Sequence, residues 1–484
     1  MIIDNPNLLN PKENYDVVII GAGPAGISLA LDLEKKKIKC CLLEAGGLEF
    51  TENSQDIYKA SSSDNFPNNL EYSRLRMFGG TTGHWGGTCR TLDEYDFINW
   101  PINKEDLDPY FKKAQMYLDL HGEFGEKNVS SDIKLVEFRN SNIRFGDYYL
   151  NKIKSSKYIK LILNAYVINF SQEEKILKKI KFFNVNGEKF NIKGNFFVFS
   201  AGGVENSRLL LHFKDLEKNI FNKNLPIGNY WFEHPYTKLG ECLLNKSKLK
   251  KILKNDLYSL PYAFGSGNFS KTLNISPTND YIKSNNILNS CVFLTYYDRP
   301  NNDAKNLIQN LSCYAPKISK KIFSLFKKGL VCNGVLRSSW EQDAEYNNCI
   351  KLVHNDKDKY NIPKIKLDYK LSEKSKFTAR NFFRKLSEYF ISNDIGRIKA
   401  ESFMLNDNEN IYSEAGYHHM GGTIMGNDIN NSVVDKNLKI HGSKNLYVLG
   451  SSVFPSGGYA NPTFTILQLS FRLSDNISNL LKKI

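Results

Sequence analysis

Residues 15–46, YDVVIIGAGPAGISLALDLEKKKIKCCLLEAG, constrain the fold more than any other stretch. DVVII is an unbroken apolar run, as a parallel strand buried on both faces requires. GAGPAG follows, with Gly21, Gly23 and Gly26 in the G-x-G-x-x-G spacing. ISLALDLEKK then has helical periodicity, and IKCCLLE reads as a second strand ending in an acid, Glu44. Strand, glycine turn, helix and acid in this order predict a βαβ unit that binds a dinucleotide. Gly21 makes the tight turn, Gly23 admits a pyrophosphate, and Gly26 lets the helix lie close on the strand. The helix N-terminus favours the negative charge, and Glu44 can accept hydrogen bonds from the adenosine ribose.

This fingerprint alone does not separate FAD from NAD. KIKFFNVNGEKFNIKGNFFVFS (179–200) alternates as strands do and carries an Asn-Gly turn at 186–187. It leads into SAGGVENSRLLL (200–211), a second strand-to-glycine-to-helix junction. Near the far end, NLYVLG reads as a strand and TFTILQLSFRLSDNI as a helix able to pack beside the first βαβ unit. A nucleotide domain completed by the last residues must have the intervening chain inserted into it. The expected fold is α/β (α+β overall): a discontinuous Rossmann-like FAD-binding domain with an inserted substrate domain built on an antiparallel sheet. Its expected segments are 1–229 and 431–484 for FAD and 230–430 for substrate.

At 484 residues the chain exceeds one simple core. Its net charge of +14 raises the question of nucleic acid or an anionic membrane, but the lysines are dispersed and no nucleic-acid motif accompanies them. The densest basic stretches, 245–255 and 317–329, read as solvated faces. A membrane edge, partner surface or anionic substrate are the alternatives. The eight cysteines lack metal-ligand spacing, and the Cys40–Cys41 pair sits in an apolar run, so reduced thiols and a cytoplasmic setting are expected. Neither a secretory signal nor a transmembrane run is visible, and no metal site is expected.

Two glycine-rich motifs complete the pattern: GGTTGHWGG (79–87) and GYHHMGGTIMG (416–426). With GAGPAG and Glu44, WPINKEDLDPYF (100–111), SAGGVENSRLLL, GNYWFEHP (228–235) and NLYVLGSSVFP…NPTFT, they occur from residue 15 to the end in one order. In that set the chain resembles the glucose–methanol–choline (GMC) flavoprotein oxidoreductases, its HW loop and HHMG being closest to sugar- and polyol-oxidising members. Residues 115–155 and 245–335 match only loosely.

The resemblance implies FAD-dependent oxidation of an alcohol on a sugar, sugar derivative or cyclic polyol, by a dehydrogenase rather than an oxidase. It places the catalytic base at His418 and a second catalytic position at Asn461, leaving His419 a structural neighbour. Flavin contacts carry over to Gly79, Gly80, His84, Trp85, Ala201, Gly450, Ser451, Asn461 and Pro462. Gly450, where other members often have an acid, would contact the ribityl chain through backbone. Gly422 and Ile424 stand where Thr and Arg are common. His84 occupies the position whose histidine, in pyranose oxidases, bonds covalently to the flavin 8-methyl group; simple flavin contact is the alternative. His234 either lies near the flavin or caps a turn, and Glu341 and Gln342 either face the cavity or are buried strand residues. The partners implied are a small-molecule alcohol or sugar and an unidentified electron acceptor, which can be a partner protein. An electron-transfer subunit of a larger dehydrogenase, or a flavin-binding interaction module without activity, are the alternative functions.

Overall fold

The computed structural model describes residues 2–3, 13–63, 66, 70–217, 221–222, 224–245, 248–249, 259–261, 270–297 and 334–483. The 317–329 basic stretch and most of 245–255 lie outside these.

The βαβ unit forms as its sequence requires. Strand Asn14–Ile20 pairs in parallel with Cys40–Leu43, Val17 opposite Cys40, and helix Pro24–Lys35 connects them. Val17 to Ile20 and Cys40 to Leu43 are all buried, which explains why both strands read as continuous apolar runs. Ile159–Ile162 extends the sheet beyond Cys40–Leu43, and Lys189–Phe199 lies on the other side of Asn14–Ile20, both in parallel. Ile176–Phe183 and Lys189–Phe199 form the hairpin expected from the Asn-Gly turn, where Gly187 has φ +78°. The upper half of Lys189–Phe199 exchanges this antiparallel partner for Leu446–Val448, which pairs with it in parallel. The last helix, Thr463–Leu481, then packs on Pro24–Lys35, and Ser470 Oγ donates to Ala25 O. The chain therefore returns to the first nucleotide-type unit at its end.

A second sheet is antiparallel and runs Gly396–Ala400, Pro235–Leu244, Gly334–Trp340, Ser290–Tyr297, Ser270–Pro277, Ile133–Val136 and Glu126–Asn128. Two of its strands thus come from ahead of residue 230. Strand periodicity divides its faces. Leu294, Leu336 and Trp340 form one core with Phe382, Phe383 and Leu386 of helix Glu373–Ser392. The opposite face presents Tyr236, Asn274, Phe293, Arg337 and Ser339 to a cavity shared with the glycine loops. Six cysteines among the described residues are buried free thiols.

Candidate active site

The cavity, of about 850 Å³, runs from Glu44 past the first glycine turn to His418 and Asn461. Gly21 has φ +105° and lies against Ser200 O, so the turn excludes a side chain there. Gly23 faces open space, and as N-cap of Pro24–Lys35 it offers no side chain to the first helical N–H groups. Gly26 instead packs: an added Cβ would lie 2.0 Å from Gly21 O. Glu44 is buried, accepting from Ala22 N at 3.0 Å and Gly46 N at 2.8 Å. Its carboxylate braces the glycine turn and retains acceptor capacity at the cavity wall. Beside it, Arg76 stacks over the Tyr166 ring and keeps Nη2 buried without a partner. A bare helix start, an open glycine, an acid and an unsatisfied guanidinium nitrogen fit the adenosine and pyrophosphate of a dinucleotide.

The second glycine loop crosses the first. Gly79 N donates to Ala22 O at 2.9 Å, and Gly80 comes so near Gly23 that an added Cβ would lie 3.1 Å from its Cα. Gly79 is absent from the cavity lining and has φ +89° against Gly146, so its part is packing rather than the direct cofactor contact expected of it. Gly80, His84, Trp85, Gly86 and Gly87 do line the cavity. Trp85 is half-buried on the core and donates from Nε1 to Ile143 O at 3.0 Å. His84 is exposed, and its imidazole makes no hydrogen bond among the described residues. Partial desolvation by the cavity walls, then the charge of Arg144, lowers its pKa and favours the neutral ring. Ala201, Gly450, Ser451, Asn461 and Pro462 line the same space, with Gly26 the other expected residue that does not. The Gly422 departure has a local reason: φ is +87° and a Cβ would meet Ser207 Oγ at 2.4 Å, so threonine has no room.

The histidines come together through a β-bridge. Phe232 pairs antiparallel with Met420, and continuing that register sets His234 opposite His418. Tyr417, just before His418, has φ +57°, a left-handed turn that bulges the strand. His234 Nδ1 and His418 Nδ1 lie 2.9 Å apart, His234 Nε2 lies 3.3 Å from Gly457 O, and His418 Nε2 lies 3.0 Å from Asn461 Nδ2. Both ends of this chain have fixed polarity, since a carbonyl only accepts and an amide nitrogen only donates. His234 therefore donates from Nε2 to Gly457 O and accepts at Nδ1 from His418 Nδ1–H. That leaves the lone pair of His418 on Nε2, beside Asn461. Burial pushes His418 down to about 4, so the ring is neutral near physiological pH. Burial, followed by the charge of His418, drives His234 well below its ordinary value.

His234 is therefore neither a turn cap nor beside the cavity; it stands behind His418 and does not line the cavity. Nothing in GNYWFEHP announces a partner 184 residues away. His419 turns the other way, its Nε2 3.2 Å from Ser73 Oγ and its ring against Trp231, in keeping with a structural place. Glu341 and Gln342 are buried just beyond strand Gly334–Trp340 and do not line the cavity: Glu341 accepts from Gly457 N at 3.2 Å, and Gln342 donates to Lys370 O and accepts from Tyr369 Oη. Among the described residues no group of three or more His, Cys, Asp or Glu is placed to hold a metal ion. No described helix is long and apolar enough to cross a membrane.

A dinucleotide cradle joined to a neutral histidine–asparagine pair suits an oxidoreductase that works with a dinucleotide cofactor. The comparisons place it more narrowly. Residues 344–470 match the family described as GMC oxidoreductase, and residues 16–71, around the first glycine turn, match that described as lycopene cyclase protein. The chain is 22% identical to the fructose dehydrogenase large subunit of Gluconobacter japonicus, over 98% of this chain and 99% of that one. It is 21% identical to a 2-methyl-1,2-propanediol dehydrogenase of Mycolicibacterium austroafricanum, over 96% and 95%. Pyridoxine 4-oxidase from Mesorbium loti shares the fold with TM-score 0.63 at 14% identity, covering 96% of this chain and 99% of that chain. Formate oxidase does so with TM-score 0.59 at 14% identity, over 98% and 100%. Through residues 344–470 the chain matches the GMC oxidoreductases, an FAD-binding family, and its similarity over the rest of its length to two dehydrogenases supports an FAD-dependent oxidoreductase.

Proposed function

We propose that the chain oxidises an alcohol group of a sugar, sugar derivative or cyclic polyol, as a dehydrogenase. The observation that carries the reading is the His234–His418–Asn461 chain, which sets the lone pair of a neutral His418 on Nε2 at the cavity, where it accepts from Asn461 Nδ2 until a substrate hydroxyl takes that place. That atom takes the hydroxyl proton, and the Asn461 amide N–H beside it donates to the oxygen on which charge develops. FAD, when bound, supplies the acceptor for the hydride leaving the carbinol carbon. The substrate class is supported by similarity to proteins named for fructose and a diol. The proposed division is 1–229 and 431–484 for the cofactor and 230–430 for the substrate, with strands Glu126–Asn128 and Ile133–Val136 contributed from the first segment to the substrate sheet.

FAD is the cofactor this reading requires, with adenosine at Glu44, pyrophosphate at Gly23 and the flavin against Gly80, Trp85, Gly450 and Ser451. The neutral, unpartnered His84 imidazole is available for a bond to the ring or for contact alone. Acid precipitation separates the two: a yellow pellet heavier than the chain by one FAD marks the bond, and a colourless pellet excludes it. A protein electron acceptor is the second reading, favoured by full-length similarity to a protein named as a large subunit.

The test is an anaerobic screen of sugars and polyols that follows flavin bleaching, which reports reduction whatever the acceptor. A substrate should bleach the wild-type flavin, and His418→Ala should slow bleaching by roughly 10²–10⁴-fold, the range of general acid–base catalysis. Failure of every alcohol, or a full rate in His418→Ala, would overturn the reading.

A further inference from the structure

Two cations stand opposite each other on the cavity face of the antiparallel sheet. Lys238 of Pro235–Leu244 pairs in register with Arg337 of Gly334–Trp340. Lys238 is already satisfied, by Glu241 at 2.7 Å and Glu401 at 3.0 Å. Arg337 is half-buried, lines the cavity, and has no hydrogen-bond or ion-pair partner among the described residues. The other arginines lining this cavity are each held by protein oxygens, Arg74 by Leu70 O and Tyr58 O and Arg76 by Ser54 Oγ, though each keeps one buried nitrogen without a hydrogen bond at the cradle end.

A guanidinium that faces a cavity with no anion beside it keeps all its donors free for a ligand, and its planar fork matches a carboxylate or phosphate in two parallel hydrogen bonds. Its neighbours suit a polar ligand of modest size. Ser339, Asn274, Thr272 and Thr295 offer hydroxyl and amide groups on the same face, and Phe293, directly opposite Arg337 on the adjacent strand, offers an apolar one. Glu414 is on this wall too and forms no ion pair with Arg337.

Register also sets the spacing. His234, which holds His418, precedes Lys238 by four positions, about 13 Å of strand at roughly 3.3 Å per residue. Arg337 lies level with Lys238, so its long side chain meets a ligand some distance from the carbon that His418 serves.

Resting on the alcohol-oxidation reading above, we propose that Arg337 is the specificity-determining residue of the alcohol site. Its role is to bind a carboxylate or phosphate on the substrate, several bonds from the hydroxyl that is oxidised. The preferred substrate is then an anionic sugar or polyol derivative rather than a neutral one.

The test uses the FAD-loaded enzyme, its Arg337→Gln and Arg337→Lys variants, and three ligands alike except in charge: glucose, glucuronate and glucose 6-phosphate. Two readouts are taken anaerobically, the perturbation of the flavin spectrum on binding and the rate of bleaching. At least one anion should bind roughly 10- to 100-fold more tightly than glucose, as a charge-assisted pair gives. Which anion does so distinguishes a carboxylate from a phosphate. The preference should fall towards unity in Arg337→Gln and survive in part in Arg337→Lys, with FAD content reporting that both variants fold. Equal binding of all three ligands by wild-type enzyme, or an undiminished preference in Arg337→Gln, overturns the proposal. An Arg337-dependent anion spectrum without bleaching by any ligand would sink alcohol oxidation while leaving the anion site standing.

Discussion

His234 gives the sharpest test of the proposed chemistry, because it touches the base but not the cavity. Its Nδ1 accepts from His418 Nδ1–H across 2.9 Å, with His234 itself fully buried behind the ring that lines the cavity. In the resting enzyme this is a bond between neutral rings. Once His418 has taken the substrate proton, the donor is an imidazolium and the bond becomes charge-assisted. Hydrogen bonds to charged groups contribute about 1.5–3 kcal/mol, against about 1 kcal/mol for neutral ones. His234→Leu removes the acceptor and leaves His418 free to turn Nε2 away from Asn461. The bond is lost from both states, so the barrier should rise by the difference, about 0.5–2 kcal/mol, and flavin reduction should slow roughly 2- to 30-fold. Substrate affinity should change little, since His234 does not line the cavity. His234→Asn restores an acceptor near Nδ1 and should recover part of the rate, which a mere packing role would not give. Anaerobic stopped-flow on FAD-loaded protein, with rate and apparent affinity resolved separately, measures both. A wild-type rate in His234→Leu, or equal loss in the Leu and Asn variants, would refute the reasoning.

Acid should destabilise the fold early. His418 and His419 are pushed by burial to about 4 and about 3, so between these values and the ordinary histidine value of 6.5 the unfolded chain binds more protons, and stability falls as pH falls. Each should contribute about 2 kcal/mol of loss between pH 7 and pH 5, measured by urea unfolding; equal stability at the two pH values would contradict the buried neutral rings. The rate of flavin reduction should likewise keep its acid limb near pH 4, and a limb near pH 6.5 would exclude His418 as the group seen. Gly23→Val should fold yet purify without flavin, because the fold leaves open space there and the dinucleotide would not. Gly21→Val, at φ +105° against Ser200 O, should instead fail to fold, and a Gly23→Val protein that keeps its flavin would refute the cradle. Asn461→Asp places a charge where alkoxide develops and should slow reduction more than Asn461→His; equal rates would remove Asn461 from that oxygen.

What the sequence by itself determined is whatever depends on neighbours along the chain. The Gly21–Gly23–Gly26 turn, its flanking strand and helix, and the Asn-Gly hairpin at 186–187 are local, because a positive φ or a period of alternation needs no distant partner. The GMC resemblance carried His418, Asn461 and the HW loop to one cavity in the same way, motif by motif. Pairing across the chain was decided only by the tertiary structure. His234 and His418 meet through a bridge register set by Phe232 and Met420, and one residue of slip would turn either ring to the other face. Gly79 reads like Gly80 in sequence, yet the approach of Gly146 makes it a packing residue. Arg337 is one arginine in an ordinary alternating strand. That it faces the cavity unpaired, while the lysine opposite is held by two glutamates, follows from which strands lie beside it and where their side chains end.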